Sequence, residues 1–353
     1  MNHTHNSQRC LVLAGGGFRF VYHLGFYHAL CQRGWQADLL LTSCGGMLAA
    51  HLIKALPDAK AQRQFLQSQA CWQWFSQLRT TPAARMLQLA PQILRRLLAM
   101  DPCTMTELQQ QALVHRPPLL DLPSAANGPA VVSIACQLLP TARGFSVEQT
   151  ILAPSHLSCW LAERVNAVPA PLSHYSGSRV LPKIKVLPVD CLQTMSDIAV
   201  TDPYYFEPYL LANPASHGTS AMDNSGDCSA YLGGAVDLQP IALALQLSQQ
   251  VIAQRKDRFD RIASQPALRR VFGVDMNAHL AKVEQNYLQH PRVHWADVSD
   301  MRQQLPLALL TKHWRAAKLQ LTAPATLGAW QQLIDAHWHY GTQRGHACPL
   351  PVL

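Results

Sequence analysis

Two short stretches decide the fold: Cys10-Leu11-Val12-Leu13-Ala14-Gly15-Gly16-Gly17 and, farther along, Leu39-Leu40-Leu41-Thr42-Ser43-Cys44-Gly45-Gly46. Each is a brief apolar run ending in small residues, the pattern of a buried strand that stops in a tight loop. Between them Val21, Leu24, Phe26, Tyr27 and Leu30 recur at helical spacing until Gly34 ends the run. After Gly45, the set Met47, Leu48, His51, Leu52 and Leu56 returns to the same period. Strand, glycine loop, helix, strand, turn, helix is the opening of a parallel, doubly wound sheet with helices on its faces.

Farther on, the pattern is helical from Asp58 to Arg116, and Pro91 to Met100 sets Ile93, Leu94, Leu97 and Leu98 beside Arg95 and Arg96. Such a basic amphipathic helix packs on the core or lies on a membrane, so peripheral membrane contact enters as a secondary expectation. Ala130 to Leu139 reads as another buried strand, residues 154 to 190 mainly as loop, Pro240 as the start of a helix, and the tail from Leu305 as two helical segments.

The chain has 353 residues, with 29 Lys and Arg against 21 Asp and Glu, a formal charge of +8. That excess favours anionic surfaces. The basic residues are scattered in ones and twos, without the aromatic-interleaved stripe of a nucleic-acid surface, so no nucleic-acid partner is expected. The ten cysteines include no C-x-x-C pair, and paired histidines such as His337 and His339 lie two apart, which suits neither helical ligand spacing. Neither a metal nor a cofactor is expected. The polar start and the absence of a long apolar run predict a cytoplasmic protein. Nothing in the sequence fixes an oligomeric state.

The chemistry concentrates at the two opening stretches. A hydroxyl at a strand-to-helix elbow projects from the turn at a helix N-terminus, and consecutive glycine amides can converge on one developing oxyanion. Ser43 is the candidate nucleophile. Gly15, Gly16 and Gly17, with Arg19 adding positive charge, are the candidate oxyanion donors. A phosphate-cradling loop is the rival, but Phe20 stands where G-x-G-x-x-G needs its third glycine.

In this order of blocks the sequence resembles the patatin-like phospholipases. Their G-G-G-x-R-G is matched by Gly15-Gly16-Gly17-Phe18-Arg19-Phe20, their H-x-G by His23-Leu24-Gly25, and their G-x-S-x-G elbow by Leu41-Thr42-Ser43-Cys44-Gly45 after Asp38. Downstream, Pro203-Tyr204-Tyr205-Phe206-Glu207-Pro208 resembles their P-x-x-F-x-P, and Tyr231-Leu232-Gly233-Gly234-Ala235-Val236-Asp237 their D-G-G-x-x-D. The resemblance implies an α/β, three-layer fold with a mostly parallel central sheet and helices on both faces. It assigns residues 9–255 to that domain and leaves 256–353 as a largely helical extension packed on it.

By the same resemblance the protein acts on acyl or lipid substrates as a serine acyl-ester hydrolase or acyltransferase. The family's catalytic acid, however, falls on Leu232. Leu41 and Phe20 likewise replace glycines, and crowding of the elbow and loop is expected. A replacement base is sought in the polar segment before Leu232, at His217, Asp223 or Asp227. Cys44 is a second nucleophile if the elbow shifts by one residue. The alternatives are an inactive acyl- or lipid-binding protein and, more distantly, a nucleotide-binding module.

Overall fold

The computed structural model describes residues 7–56, 58–84, 90–91, 94, 104–122, 128–142, 144–212, 228–259, 261, 264–315 and 318–351. His217, Asp223 and Asp227 lie outside the described residues, as does nearly all of the 91–100 segment.

Among the described residues the core is a nine-stranded sheet. Its strands are β1 (Ser7–Ala14), β2 (Leu39–Ser43), β3 (Ala130–Thr141), β4 (Gly144–Ala153), β5 (Val180–Pro188), β6 (Tyr209–Ala212), β7 (Cys228–Gly233), β8 (Ser248–Arg255) and β9 (Val293–Asp297). The main order is β9-β8-β1-β2-β3-β4-β5, parallel throughout except for the β3–β4 pair. The central strands are apolar on both faces, as parallel strands covered by helices must be. Every residue of β2 is buried.

Helices cover both faces. On one side α4 (Ser155–Val165), α6 (Ile241–Leu247), α7 (Ser264–Phe272) and α8 (Met276–Tyr287) pack against Val12, Leu41, Ile134 and Leu232. On the other, α1 (Val21–Gln32), α2 (Gly45–Ala55) and α5 (Leu192–Ala199) pack against Leu11, Leu13, Leu40 and Ala135. Beside them α3 (Gln69–Gln77) and α9 (Leu327–Ala347) share an apolar cluster with α1. The fold is therefore the three-layer α/β architecture expected.

The segment past residue 255 is rich in helix, yet it also supplies β9 to the sheet edge and an antiparallel hairpin, Thr311–Arg315 with Lys318–Thr322. The tail thus has one hairpin and one long helix where two helical segments were expected. Its α9 lies against α1 at very short range: a Cβ added to Gly341 would stand 1.9 Å from the Tyr22 carbonyl oxygen, and one on Gly25 2.1 Å from that of Trp338. Arg33 closes the contact by donating to the Gly345 and Cys348 carbonyls at 2.9 and 2.6 Å. Trp330 and His337 of this tail have structural roles. Trp330 is fully buried with its Nε1 donating to the Leu66 carbonyl at 2.7 Å, and the buried His337 meets the Leu307 carbonyl through Nε2 at 3.0 Å.

One more expectation fails. Residues 154 to 190 hold α4 and β5, while the helix expected after Pro240 is α6, with β8 following directly on it. In α4 only Leu157, Leu161 and Val165 are buried, a stripe at four-residue spacing diluted by polar neighbours. In β5, which ends the main row of strands, most side chains face water. Edges and single-stripe helices carry weak patterns because so little of each is buried.

Candidate active site

The long strand β3 creates the site. Its first residues pair with β2, from Leu39↔Ala130 to Thr42↔Ser133, and its later residues pair on the same side with β7, from Ala135↔Gly233 to Leu138↔Ala230. β2 and β7 therefore run toward each other along β3 and stop end to end beside Ile134. A Cβ on Gly234 would stand 2.4 Å from the Ile134 carbonyl oxygen and 2.5 Å from Ser43 Cβ. This steric limit keeps the glycine where the two strand ends meet.

At the end of β2 the chain turns sharply into α2. Ser43 still belongs to the strand and is 0% exposed; its carbonyl and its Oγ accept from the Gly15 amide at 3.0 and 3.3 Å. The turning residue is Cys44, at φ 52° and ψ −129°, which also caps α2. Among the described residues only Cys44 and Tyr204 combine a side chain with left-handed φ, and the neighbours of Tyr204, Pro203 and Tyr205, line the cavity beside the elbow. Backbone strain of this kind gathers at functional sites. The following glycines are sterically required: a Cβ on Gly46 would lie 1.7 Å from the Leu13 carbonyl oxygen, and one on Gly45 2.8 Å from that of Gly17.

The elbow is thus displaced by one residue from the sequence assignment. Ser43 is the last strand residue, and Cys44 is the side chain presented at the turn. Counting D-x-x-x-G-x-S-x-G from Asp38 gives this same register, with Thr42, Cys44 and Gly46 at the motif positions. That spacing was the available signal. Leu41 then no longer stands at the elbow's first glycine. It packs in the core with Val12 and Val132, and Thr42 Oγ1 donates to the Val132 carbonyl at 3.2 Å. Phe20 does not obstruct the glycine loop either; its ring stacks on Phe75 at 6.5 Å in an apolar cluster.

Gly15, Gly16 and Gly17 follow β1 with φ of 65°, 94° and 48°. Only a chain without Cβ takes three such angles in succession at little cost. The Gly15 amide is committed to Ser43. Among the described residues no backbone acceptor takes the amides of Gly16 and Gly17. Arg19, grouped with the loop in the sequence, is directed elsewhere: its Nε and Nη2 donate to the carbonyls of Leu305 and Pro306 at 3.0 and 3.1 Å, tying the C-terminal segment to the loop.

Two side chains that the sequence reading did not single out complete the cluster. Cys44 Sγ donates to Asp202 Oδ1 at 3.2 Å. Asp202 lies just after α5, and the neighbouring Thr201 carbonyl accepts from the Gly233 amide at 2.7 Å, so elbow, Asp202 turn and diglycine loop are mutually fixed. Lys256, just beyond β8, lies beside the glycine loop with Nζ 3.4 Å from where a Gly15 Cβ would be. Lys256 is among the residues that line the cavity, and its Nζ is buried with no hydrogen-bond partner among the described residues. Asp202 immediately precedes Pro203 in a recognisable block and so had a local cue. Lys256 had none, since a lysine in a polar stretch after a strand reads as solvated.

Burial pushes the Cys44 thiol well above its usual 9.0, and the Asp202 carboxylate raises it further, against smaller opposing effects of the Gly45 amide and Lys256. Burial likewise brings Lys256 down to about 7, partly opposed by Cys44 and Asp257. His23, whose Nε2 meets the Gly15 carbonyl at 3.3 Å, is driven well below 6.5 by burial and then by Lys256.

Cys44, Lys256 and the glycine loop line a cavity of about 550 Å³. Its lining includes the apolar Phe18, Phe75, Leu78, Leu119 and Leu310 and the charged Lys256, Asp257, Arg258 and Arg302. Leu232 does not border it. That residue is 0% exposed, pairs with Cys136 and packs in the core with Ile134.

No curated protein matches this chain. A family model does: that of the patatin-like phospholipases matches residues 11–162, the span that carries the glycine loop and the elbow.

Proposed function

We propose that the protein is an acyl-ester hydrolase or acyltransferase for lipid-like substrates whose nucleophile is Cys44, replacing the Ser43 assignment. The observation that carries this reading is the elbow itself. Cys44 is the side chain at the strained turn, it borders the cavity, and it donates to a carboxylate.

In this reading Asp202 takes the proton from Cys44 Sγ as the sulfur attacks the acyl carbonyl carbon. The carbonyl electron pair moves to oxygen, where the amides of Gly16 and Gly17 receive it. Collapse expels the alkoxide, which takes the proton from Asp202, and leaves a Cys44 thioester. Water or an alcohol then attacks the thioester, gives its proton to Asp202 and regenerates the thiol. Asp202 thereby does from the α5 side what the family acid does from the position of Leu232. The apolar wall of the cavity suits an acyl chain better than a nucleotide.

A second reading, acyl binding without turnover, is favoured by Leu232 and by the high pKa of the thiol. Hydrolysis of short-chain esters and thioesters separates the two. Turnover in wild type, retained in Ser43→Ala and abolished in Cys44→Ala and Asp202→Asn, is the expected result. Turnover that survives Cys44→Ala would refute the nucleophile, and no turnover of either ester class would favour the binding reading.

A further inference from the structure

A buried amine with no hydrogen-bond acceptor is an expensive group to keep. Desolvation penalises its charged form, and a lysine so placed is ordinarily paired or neutralised. Lys256 stands beside the glycine loop with Nζ enclosed and without a hydrogen-bond partner among the described residues, lying 5.9 Å from the centre of the Tyr22 ring. The backbone there already has the form of an anion-binding concavity, with three consecutive left-handed glycines and the amides of Gly16 and Gly17 untaken by backbone acceptors. A Cβ on Gly17 would meet nothing within 4 Å, so there is room above the loop. Arg19, the other cation at this loop, is held by the Leu305 and Pro306 carbonyls. One group satisfies all of these at once: an anion with a long apolar tail.

We infer that Lys256 Nζ and the amides of Gly16 and Gly17 form a carboxylate-binding site for a free long-chain fatty acid, whose chain lies along Phe18, Phe75, Leu78 and Leu310. The inference shares the acyl cavity of the proposed function but does not need Cys44 to react. A hydrolase with this site holds its product anion; a protein without turnover uses it as a fatty-acid receptor.

Charge linkage sharpens the inference. Several groups face Lys256: Tyr22 and His23 from α1, Cys44 from the elbow, and Asp257 with Arg302 at the charged end. Burial raises Tyr22 well above 10.0 and Cys44 well above 9.0, holds His23 well below 6.5, and raises Asp257 from a starting value of 3.8. Between about pH 7 and 9 the amine is therefore the group that changes charge, with its midpoint at about 7 in the empty site. A bound carboxylate stabilises the ammonium form, so binding above that midpoint takes up a proton. Affinity should be flat just below it, where the fatty acid is still a carboxylate, and fall above it by up to tenfold per pH unit.

The test uses the full chain carrying Cys44→Ala, so that turnover cannot intervene, with laurate and 1-dodecanol as probes measured by calorimetry. Laurate should bind roughly tenfold or more tightly than the alcohol, since a charge-assisted contact separates them. Lys256→Met should abolish that preference while keeping dodecanol affinity, and Lys256→Arg should keep the preference but lose the pH dependence above 7. Equal affinity for the two probes, or a preference that survives Lys256→Met, would overturn the site. Dodecanol binding to Lys256→Met also reports that the variant is folded. Catalytic failure is read at Cys44 and binding failure at Lys256, so the two proposals fall separately.

Discussion

The elbow, Thr42-Ser43-Cys44-Gly45-Gly46, and the diglycine loop, Leu232-Gly233-Gly234, meet end to end on β3, and they present different chemistry. At the elbow a thiol occupies the turning position of a strained backbone. At the loop the glycines follow a leucine that is 0% exposed in the core. In both, the glycines are held by close backbone contacts. Steric requirements at a strand end are enforced by the whole sheet. A reactive side chain needs only to reach the same point in space, and Asp202 and Lys256 reach it from other elements.

The sharpest way to break this comparison is to remove the elbow's side chain. Cys44→Ala should lower ester turnover by at least about a thousandfold with the thermal transition nearly unchanged, since nucleophile loss commonly costs that much or more. An activity that persists would mean that the elbow keeps only its shape.

Next in size is the steric side of the argument. Gly46→Ala and Gly234→Ala should each destabilise by about 3 kcal/mol, because the new methyl would meet backbone oxygens of Leu13 and Ile134 that cannot move without disturbing the sheet. Denaturant midpoints measure this, and near-wild-type midpoints would show that the strand ends yield.

Leu232→Asp then tests whether the loop can be restored. Because this position faces the core and not the cavity, the carboxyl should cost about 2–4 kcal/mol without any gain in turnover. Increased hydrolysis would show that the acid still reaches the elbow from the family position.

The smallest expected effect lies just after the loop, at Asp237, which burial raises to about 7. Its charged form is disfavoured in the fold, so the penalty is absent below the ordinary 3.8, grows from there to about 7, and is full above that. Asp237→Asn should therefore leave thermal stability nearly unchanged at pH 4 and raise it by a few degrees at pH 8. Equal shifts at both pH values would show that the charge is compensated.

The front of the molecule was legible because each of its demands is local. A two-sided apolar strand, three glycines and a following helix are consecutive in sequence, and their order alone implies the parallel α/β arrangement. The spacing from Asp38 also contained the register in which Cys44 holds the turn. β5 and α4 were missed because each buries only a few side chains. The tail's hairpin was missed because its two strands are supported mainly by each other.

The sequence by itself determined the sheet's class, the glycine loop, the position of the elbow to within one residue, and the absence of an acid at 232. Which side chain the turn presents was decided only by tertiary structure, since the Gly15 amide captures Ser43 and the packing of Gly46 on Leu13 fixes where α2 begins. Tertiary structure also decided which polar groups surround the thiol. Asp202 and Lys256 lie 158 and 212 residues from Cys44 in the chain, and only the closing of the sheet, with β8 beside β1 and α5 beside α2, brings a carboxylate and an enclosed amine to one loop. Desolvation there gives an ordinary lysine and an ordinary cysteine properties that no local sequence pattern encodes.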